Sequence, residues 1–144
     1  MIFCEVTYNK MTIIKPEIII VDDEEAIRKL ARAVLERDES FKNFKFKEFA
    51  DGAQGHAYFN NGFNPTNLAA LISDYTMPVM NGIELIDYAC DEKSVPENSC
   101  ILISGNACFP EFTERRKGVL CLRKPFDLRE FREGVKKSVS ASGY

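Results

Sequence analysis

Four short apolar runs in this chain each stop at a residue that can carry chemistry, and that pattern narrows the possible folds more than any other feature. Glu17-Ile18-Ile19-Ile20-Val21 runs into Asp22-Asp23, and Leu68-Ala69-Ala70-Leu71-Ile72 leads to Asp74. Cys100-Ile101-Leu102-Ile103 ends at Ser104, and Val119-Leu120-Cys121-Leu122 ends at Arg123-Lys124-Pro125. Runs this short, apolar on both faces and bounded by turn residues, fit strands buried between two helical layers. In open α/β sheets, ligands bind at the carboxyl ends of such strands. If the runs are parallel neighbours, three carboxylates, a hydroxyl and an ammonium surround one crevice. Each residue alone has a plainer reading. Asp74 and Asp22-Asp23 suit turns and helix caps, Ser104 a turn, and Lys124 a solvated surface.

Helical periodicity fills the gaps between the runs. Ile27, Leu30, Ala31, Val34 and Leu35 mark an amphipathic helix from Glu24 to about Arg37, opened by acidic residues that suit the helix dipole. Phe44 to Phe49 interleaves aromatics with Lys45 and Lys47, as an exposed edge strand does. Residues 51–61 give a weaker helix containing Gly52 and Gly55, and Ile83, Ile86 and Ala89-Cys90 mark a third from Gly82 to about Cys90. Asp91 to Asn98 reads as a polar loop. Pro110 suits a helix's first turn, so a short helix is expected from about Phe109 to Lys117, capped by Gly118. Leu128, Phe131, Val135 and Val139 mark the last helix, which fades into Ser140-Ala141-Ser142-Gly143-Tyr144. Strict β-α alternation with short links implies a doubly wound α/β fold: five parallel strands with helices on both faces and right-handed crossovers. A polar edge strand second in sequence suits the flavodoxin-like order 2-1-3-4-5.

At 144 residues the chain reads as one domain over residues 16–140, with an N-terminal extension at 1–15 and a short tail at 141–144. A second methionine, Met11, offers an alternative start. Nineteen Lys and Arg against 22 Asp and Glu leave a net charge of -3, with the basic residues scattered, so nucleic-acid binding is not expected. Nothing approaches the roughly 20 apolar residues of a membrane span. The five cysteines lack CxxC spacing and mostly lie in apolar runs, which reads as reduced thiols in a cytoplasmic protein. His56, the only histidine, has no partner motif.

Crowded carboxylates are costly: two unit charges about 4 Å apart repel by about 4 kcal/mol at an effective dielectric near 20. Lys124 or a hard divalent cation must offset that cost. Oxygen ligands without clustered His or Cys select Mg2+. A carboxylate beside Mg2+, with an ammonium and a hydroxyl in reach, suits attack on a phosphoryl group, with Asp74 as the nucleophile.

These residues resemble the motifs of the response-regulator receiver domain, in order: Ile18-Ile19-Ile20-Val21-Asp22-Asp23-Glu24, then Asp74-Tyr75-Thr76-Met77-Pro78-Val79-Met80-Asn81-Gly82, Ser104, and Lys124-Pro125-Phe126. The resemblance covers roughly residues 16–140. It implies that Asp74 accepts phosphate, that Asp22, Asp23 and the Thr76 backbone carbonyl help hold Mg2+, that Ser104 is a switch hydroxyl and Lys124 the phosphoryl partner. It also implies a cis Lys124-Pro125 bond. The expected donor is a sensor histidine kinase or histidine phosphotransfer protein. A stand-alone receiver would signal to an unidentified output protein through the face from about Phe109 to Val139. Cys121 departs from the family, which usually has an aromatic there, so the expected switch is the loop from Ser104 to Phe109. Arg115-Arg116-Lys117-Gly118-Val119 also lacks the usual Gly-Ala-rich pattern. Two rivals are a phosphorylation-independent docking module and an aspartate-nucleophile Mg2+ phosphohydrolase. The phosphohydrolase is disfavoured because the DxD pattern is absent from the first strand.

Overall fold

The computed structural model of the chain describes residues 14–105 and 109–144. The Met11 start and most of the 1–15 extension lie outside these residues. Strands β1 (Glu17–Val21), β2 (Lys45–Phe49), β3 (Leu68–Asp74), β4 (Cys100–Ser104) and β5 (Leu120–Arg123) form one sheet, in the order β2-β1-β3-β4-β5. All its pairings are parallel. Helices α1 (Glu25–Glu36), α2 (Gly52–Asn60), α3 (Gly82–Lys93), α4 (Pro110–Arg115) and α5 (Leu128–Ala141) alternate with the strands. The doubly wound architecture and strand order are those expected from the sequence.

Successive strand residues point to opposite faces, and β1 shows how this builds two layers. Ile18 and Ile20 pack with Ala31 and Leu35 of α1 and with Phe131, Val135 and Val139 of α5. Ile19 and Val21 pack with Phe59 of α2, Leu85 and Ile86 of α3, and Phe112 of α4. Central β3 is buried along its whole length, two residues further than the apolar run alone suggests, so Asp74 closes the strand. Edge strand β2 instead leaves Lys45 and Lys47 exposed, which discourages pairing with another chain.

The departures lie on the α3–α4 side. Helix α3 continues to Lys93, and a single 3-10 turn at Glu97–Ser99 leads into β4, where a polar loop was expected. Helix α4 is shorter than the span from Phe109 to Lys117. Arg116 leaves helical geometry at φ -126° and ψ 61°. Its guanidinium meets Asp87 at 3.0 Å, Asp91 at 2.7 Å and Glu97 at 3.5 Å. Gly118 is therefore no helix cap. Its N–H donates to Glu97 Oε2 at 3.1 Å, and an added Cβ would lie 2.6 Å from Asn98 Oδ1, so a close approach of two loops requires glycine there. The C-terminal residues pack back on the domain: the Ser142 hydroxyl pairs with that of Ser99 at 2.6 Å and reaches the Ala69 carbonyl at 2.9 Å, and Tyr144 donates to the Thr66 carbonyl.

Gly82 opens α3 directly beneath the end of β3. Asn81 caps the helix by accepting the Glu84 N–H at 2.9 Å, and its side-chain Nδ2 donates to Glu84 Oε1, also at 2.9 Å. A Cβ on Gly82 would sit 2.2 Å from the Asp74 carbonyl oxygen and 2.9 Å from Leu102 Cδ1. Gly82→Ala should therefore destabilise the fold by roughly 1–3 kcal/mol, as overpacking does. Urea denaturation checks this, and an unchanged midpoint contradicts the close packing.

Candidate functional site

Parallel pairing levels the strand ends. Val21 lies beside Ser73, Asp74 beside Ile103, and Ser104 beside Arg123. The residues that end or follow these strands are thereby gathered at one edge of the sheet. Asp22, Asp23 and Asp74 can each bring one carboxylate oxygen within 4.8 Å of the others. Asp22 and Asp74 are buried, whereas Asp23 is exposed. Lys124 reaches into this group: its Nζ lies 3.2 Å from Asp22 Oδ2 and 3.1 Å from Asp74 Oδ1.

Local geometry fixes each member. Asp22 Oδ1 accepts the Glu24 N–H at 2.8 Å in a turn ahead of α1, whose N-cap is Glu24 with no side-chain cap, so Asp22 does not cap the helix, and its other oxygen faces Lys124. The Asp22 N–H donates to the Phe49 carbonyl at 3.1 Å, and the Asp22 carbonyl accepts from Arg28 at 2.6 Å. Lys124 donates its backbone N–H to the Ser104 carbonyl at 2.8 Å, which fixes the two strand ends against each other. The Lys124-Pro125 bond is cis, as the resemblance implies. After Asp74 the chain is held on both sides, by Tyr75 N–H to Ile103 O at 2.8 Å and Gly82 N–H to Tyr75 O at 2.9 Å. Thr76 follows in this loop and is exposed, and Ser104 is buried at the end of β4.

Electrostatics follow from this placement. Burial pushes the Asp74 carboxyl above its usual range. Asp22 and more weakly Asp23 push it the same way, while Lys124 only partly offsets them. Burial also opposes charge on Lys124, but Asp22 and Asp74 outweigh it and raise that ammonium above the ordinary lysine range. Three oxygen donors with two of them buried and a single ammonium between them form a site short of positive charge. That donor set fits a hard divalent cation, and it contains no soft ligand.

The sequence left some neighbours of the site unresolved. Phe112 is buried core, whereas Phe109 is half-buried and its ring packs against Tyr75, tilted by 49° with centroids 4.2 Å apart, in the loop after Asp74. Arg28 was not singled out, although its spacing from Asp22 places it on the first turns of α1 facing the crevice loop. His56 is half-buried against the Tyr88 ring at 4.0 Å, away from the acidic group. Cys121 is exposed, because alternate residues of β5 face outward, so it is not packed as a small apolar residue. Residues 106–108 of the expected switch loop lie outside the described residues.

The chain matches the family model described as the response regulator receiver domain over residues 18–136. It is 31% identical over 80 residues to the transcriptional regulatory protein SrrA of Staphylococcus aureus, a match covering 56% of this chain and 30% of that protein. The chain thus spans less than a third of that relative's length. Among solved structures it is similar to a CheY-like response regulator receiver domain protein from Methanospirillum hungatei JF-1, at a TM-score of 0.72 and 25% identity, covering 89% of this chain and 96% of that one. It also resembles the signal receiver domain of a signal transduction histidine kinase from Syntrophus aciditrophicus, with a TM-score of 0.69 and 20% identity over 88% of this chain and 91% of that one.

A buried carboxyl whose pKa is raised by folding binds more protons in the native than in the unfolded state. Stability then falls as pH rises from the ordinary carboxyl range through the raised value. In the presence of a chelator, Asp74→Asn should consequently be more stable than the parent at pH 7. The gap should close as pH falls below the ordinary range and both side chains are neutral. Thermal melts at several pH values measure this; an Asn variant less stable than the parent at pH 7 contradicts the crowding.

Proposed function

The chain belongs to the response-regulator receiver family, and on that premise we propose that Asp74 accepts a phosphoryl group in a Mg2+-dependent reaction. The observation that carries this reading is the buried Asp74 carboxylate at the carboxyl end of β3, contacted by Lys124 and crowded by Asp22 and Asp23. Asp22, Asp23, Asp74 and the Thr76 backbone carbonyl would hold the cation. Bound there, Mg2+ supplies positive charge that neutralises the incoming phosphoryl oxygens.

The remaining steps belong to the side chains. A carboxylate oxygen of Asp74 attacks phosphorus and forms an acyl phosphate as the donor's P–N bond breaks, and the imidazole leaves. Such transfer needs mainly positioning and electrostatic stabilisation. Burial and the fixed backbone around Asp74 provide the first. Lys124, already paired with two carboxylates, turns one of its N–H donors to the phosphoryl oxygens, and Ser104, at the adjacent strand end, offers its hydroxyl to the same group. Proton transfer to or from Asp74 is not required, because the attacking form is the carboxylate.

The donor would be a phosphohistidine on a sensor kinase or a phosphotransfer protein, and the acceptor role does not depend on whether further domains are attached. Output is proposed to pass to another protein. The SrrA relative is a transcriptional regulator, but the scattered basic residues here give the receiver itself no nucleic-acid surface. A cytoplasmic setting is consistent with the absence, among the described residues, of any helix long and apolar enough to cross a membrane.

Incubation with phosphoramidate and Mg2+ should add one phosphoryl group, located at Asp74 by peptide mapping. Asp74→Asn should lose the label, and chelation should reduce it to background. A label that persists in Asp74→Asn, or forms equally well in chelator, overturns the assignment.

A further inference from the structure

Every polar atom of Asp22 is engaged, and one of its partners lies outside the set of strand-end residues. Its N–H donates to the Phe49 carbonyl at 3.1 Å, its Oδ1 accepts the Glu24 N–H at 2.8 Å, and its Oδ2 faces Lys124 at 3.2 Å. The remaining atom, the backbone carbonyl oxygen, accepts from Arg28 Nη1 at 2.6 Å. Arg28 sits in the first turns of α1, where its own N–H donates to the Glu24 carbonyl at 3.1 Å. The Nε of the same guanidinium lies 3.7 Å from Glu48 Oε1 on β2, and Glu48 Oε2 is held in turn by Arg32 at 3.0 Å. The Arg28 side chain is only 15% exposed, so this is a built contact and not a surface arginine at rest.

We propose that Arg28 is a positioning residue for the divalent cation: by holding the carbonyl of the peptide that joins Asp22 to Asp23, it presets both carboxylates for the ion. The inference rests on the reading of the crevice as a Mg2+ site. A peptide group is planar, so fixing its oxygen restrains ψ of Asp22 and φ of Asp23 together. Asp22 is buried and held at its N–H and at both carboxylate oxygens, whereas Asp23 is exposed, and the peptide ahead of it is the part that the fold holds. Partners that orient metal ligands from outside tune the affinity of the site nearly as much as the ligands do.

Arg28 acts on the crevice in two ways of opposite sign. As a cation near three carboxylates it competes with a metal ion, so on charge alone its removal tightens metal binding. As the holder of the peptide it lowers the cost of bringing the ligands into place, so its removal loosens binding. Glu48 decides between them. It matches the guanidinium charge from the β2 side, which keeps Arg28 on the carbonyl and out of the acid group. An arginine suits this task better than a lysine, because its planar fork reaches the carbonyl and the carboxylate at once, whereas an ammonium is a point donor.

The test is isothermal titration calorimetry of the full chain with MgCl2 at fixed ionic strength, with thermal melts in chelator to establish that each protein is folded at the titration temperature. Arg28→Met keeps the apolar stem and removes every donor. It should bind Mg2+ about tenfold more weakly than the parent, as the loss of an outer partner of a metal ligand does, even though a competing positive charge has gone. Arg28→Lys should recover part of that affinity, because an ammonium can still donate to the carbonyl without reaching Glu48. If Arg28→Met does not fold, Arg28→Gln, which cannot reach both partners, takes its place with the same expected weakening. A folded variant without the guanidinium that binds Mg2+ as tightly as the parent, or more tightly, overturns the positioning role and leaves the Mg2+ reading standing. A parent that binds no Mg2+ overturns both.

Discussion

The repulsion among Asp22, Asp23 and Asp74 is the interaction that the rest of the molecule is arranged to contain. Nothing in the local sequence would hold three carboxylates together. The parallel sheet does it by ending β1 and β3 at the same edge, with apolar layers on both faces fixing the register. A one-residue slip would turn every buried side chain of a strand to the opposite face, so the core that stabilises the sheet also sets the spacing of the acids. Lys124 is brought in from β5, two strands from β1's neighbour, through the backbone bond to Ser104. Its raised pKa and that of Asp74 describe the same arrangement: the ammonium is well compensated, whereas the buried Asp74 carboxylate is not.

The loop after Asp74 shows how tightly the edge is built. Gly82 lets α3 begin against the Asp74 carbonyl, and Tyr75 is pinned to β4 and to Gly82. Val79 is exposed at φ 70°, a left-handed conformation that a β-branched residue adopts only when its surroundings impose it. Backbone strain close to a proposed reacting group is a common feature of functional loops. The tilted contact of Phe109 with Tyr75 links this loop to the start of α4. Helix α4 is anchored in turn by Arg115 to Asp87 and by the Arg116 network. These pairs lie partly in solvent, so they orient α4 more than they stabilise it.

Much of this was legible in the residues themselves. Continuous apolar runs identify buried parallel strands because both faces are covered, and their terminal residues identify the edge because polar groups are excluded from the strand interiors. The α1 and α5 helices carried a clear 3.6-residue period, and both form close to the expected spans. The α3–α4 region was not legible, for a physical reason: its geometry is set by ion pairs from Arg115 and Arg116 to residues 19 to 29 positions away. Gly118 looked like a helix cap because a close approach to a distant loop leaves the same residue in sequence. Arg28 contributes a contact to the Asp22 backbone, which side-chain patterns do not signal.

The crowding of the acids becomes a function only if a cation relieves it. The most direct measurement is the thermal midpoint of the parent and of Asp23→Ala in chelator and in Mg2+. A cation that binds only the folded state should stabilise the parent by about 2.7 kcal/mol at 100 times its dissociation constant. The parent should therefore melt several degrees higher in Mg2+, and Asp23→Ala should lose most of that gain. A parent that melts at the same temperature in both conditions, or an Asp23→Ala variant that keeps the full gain, would contradict the assignment of this crevice as the cation-dependent site.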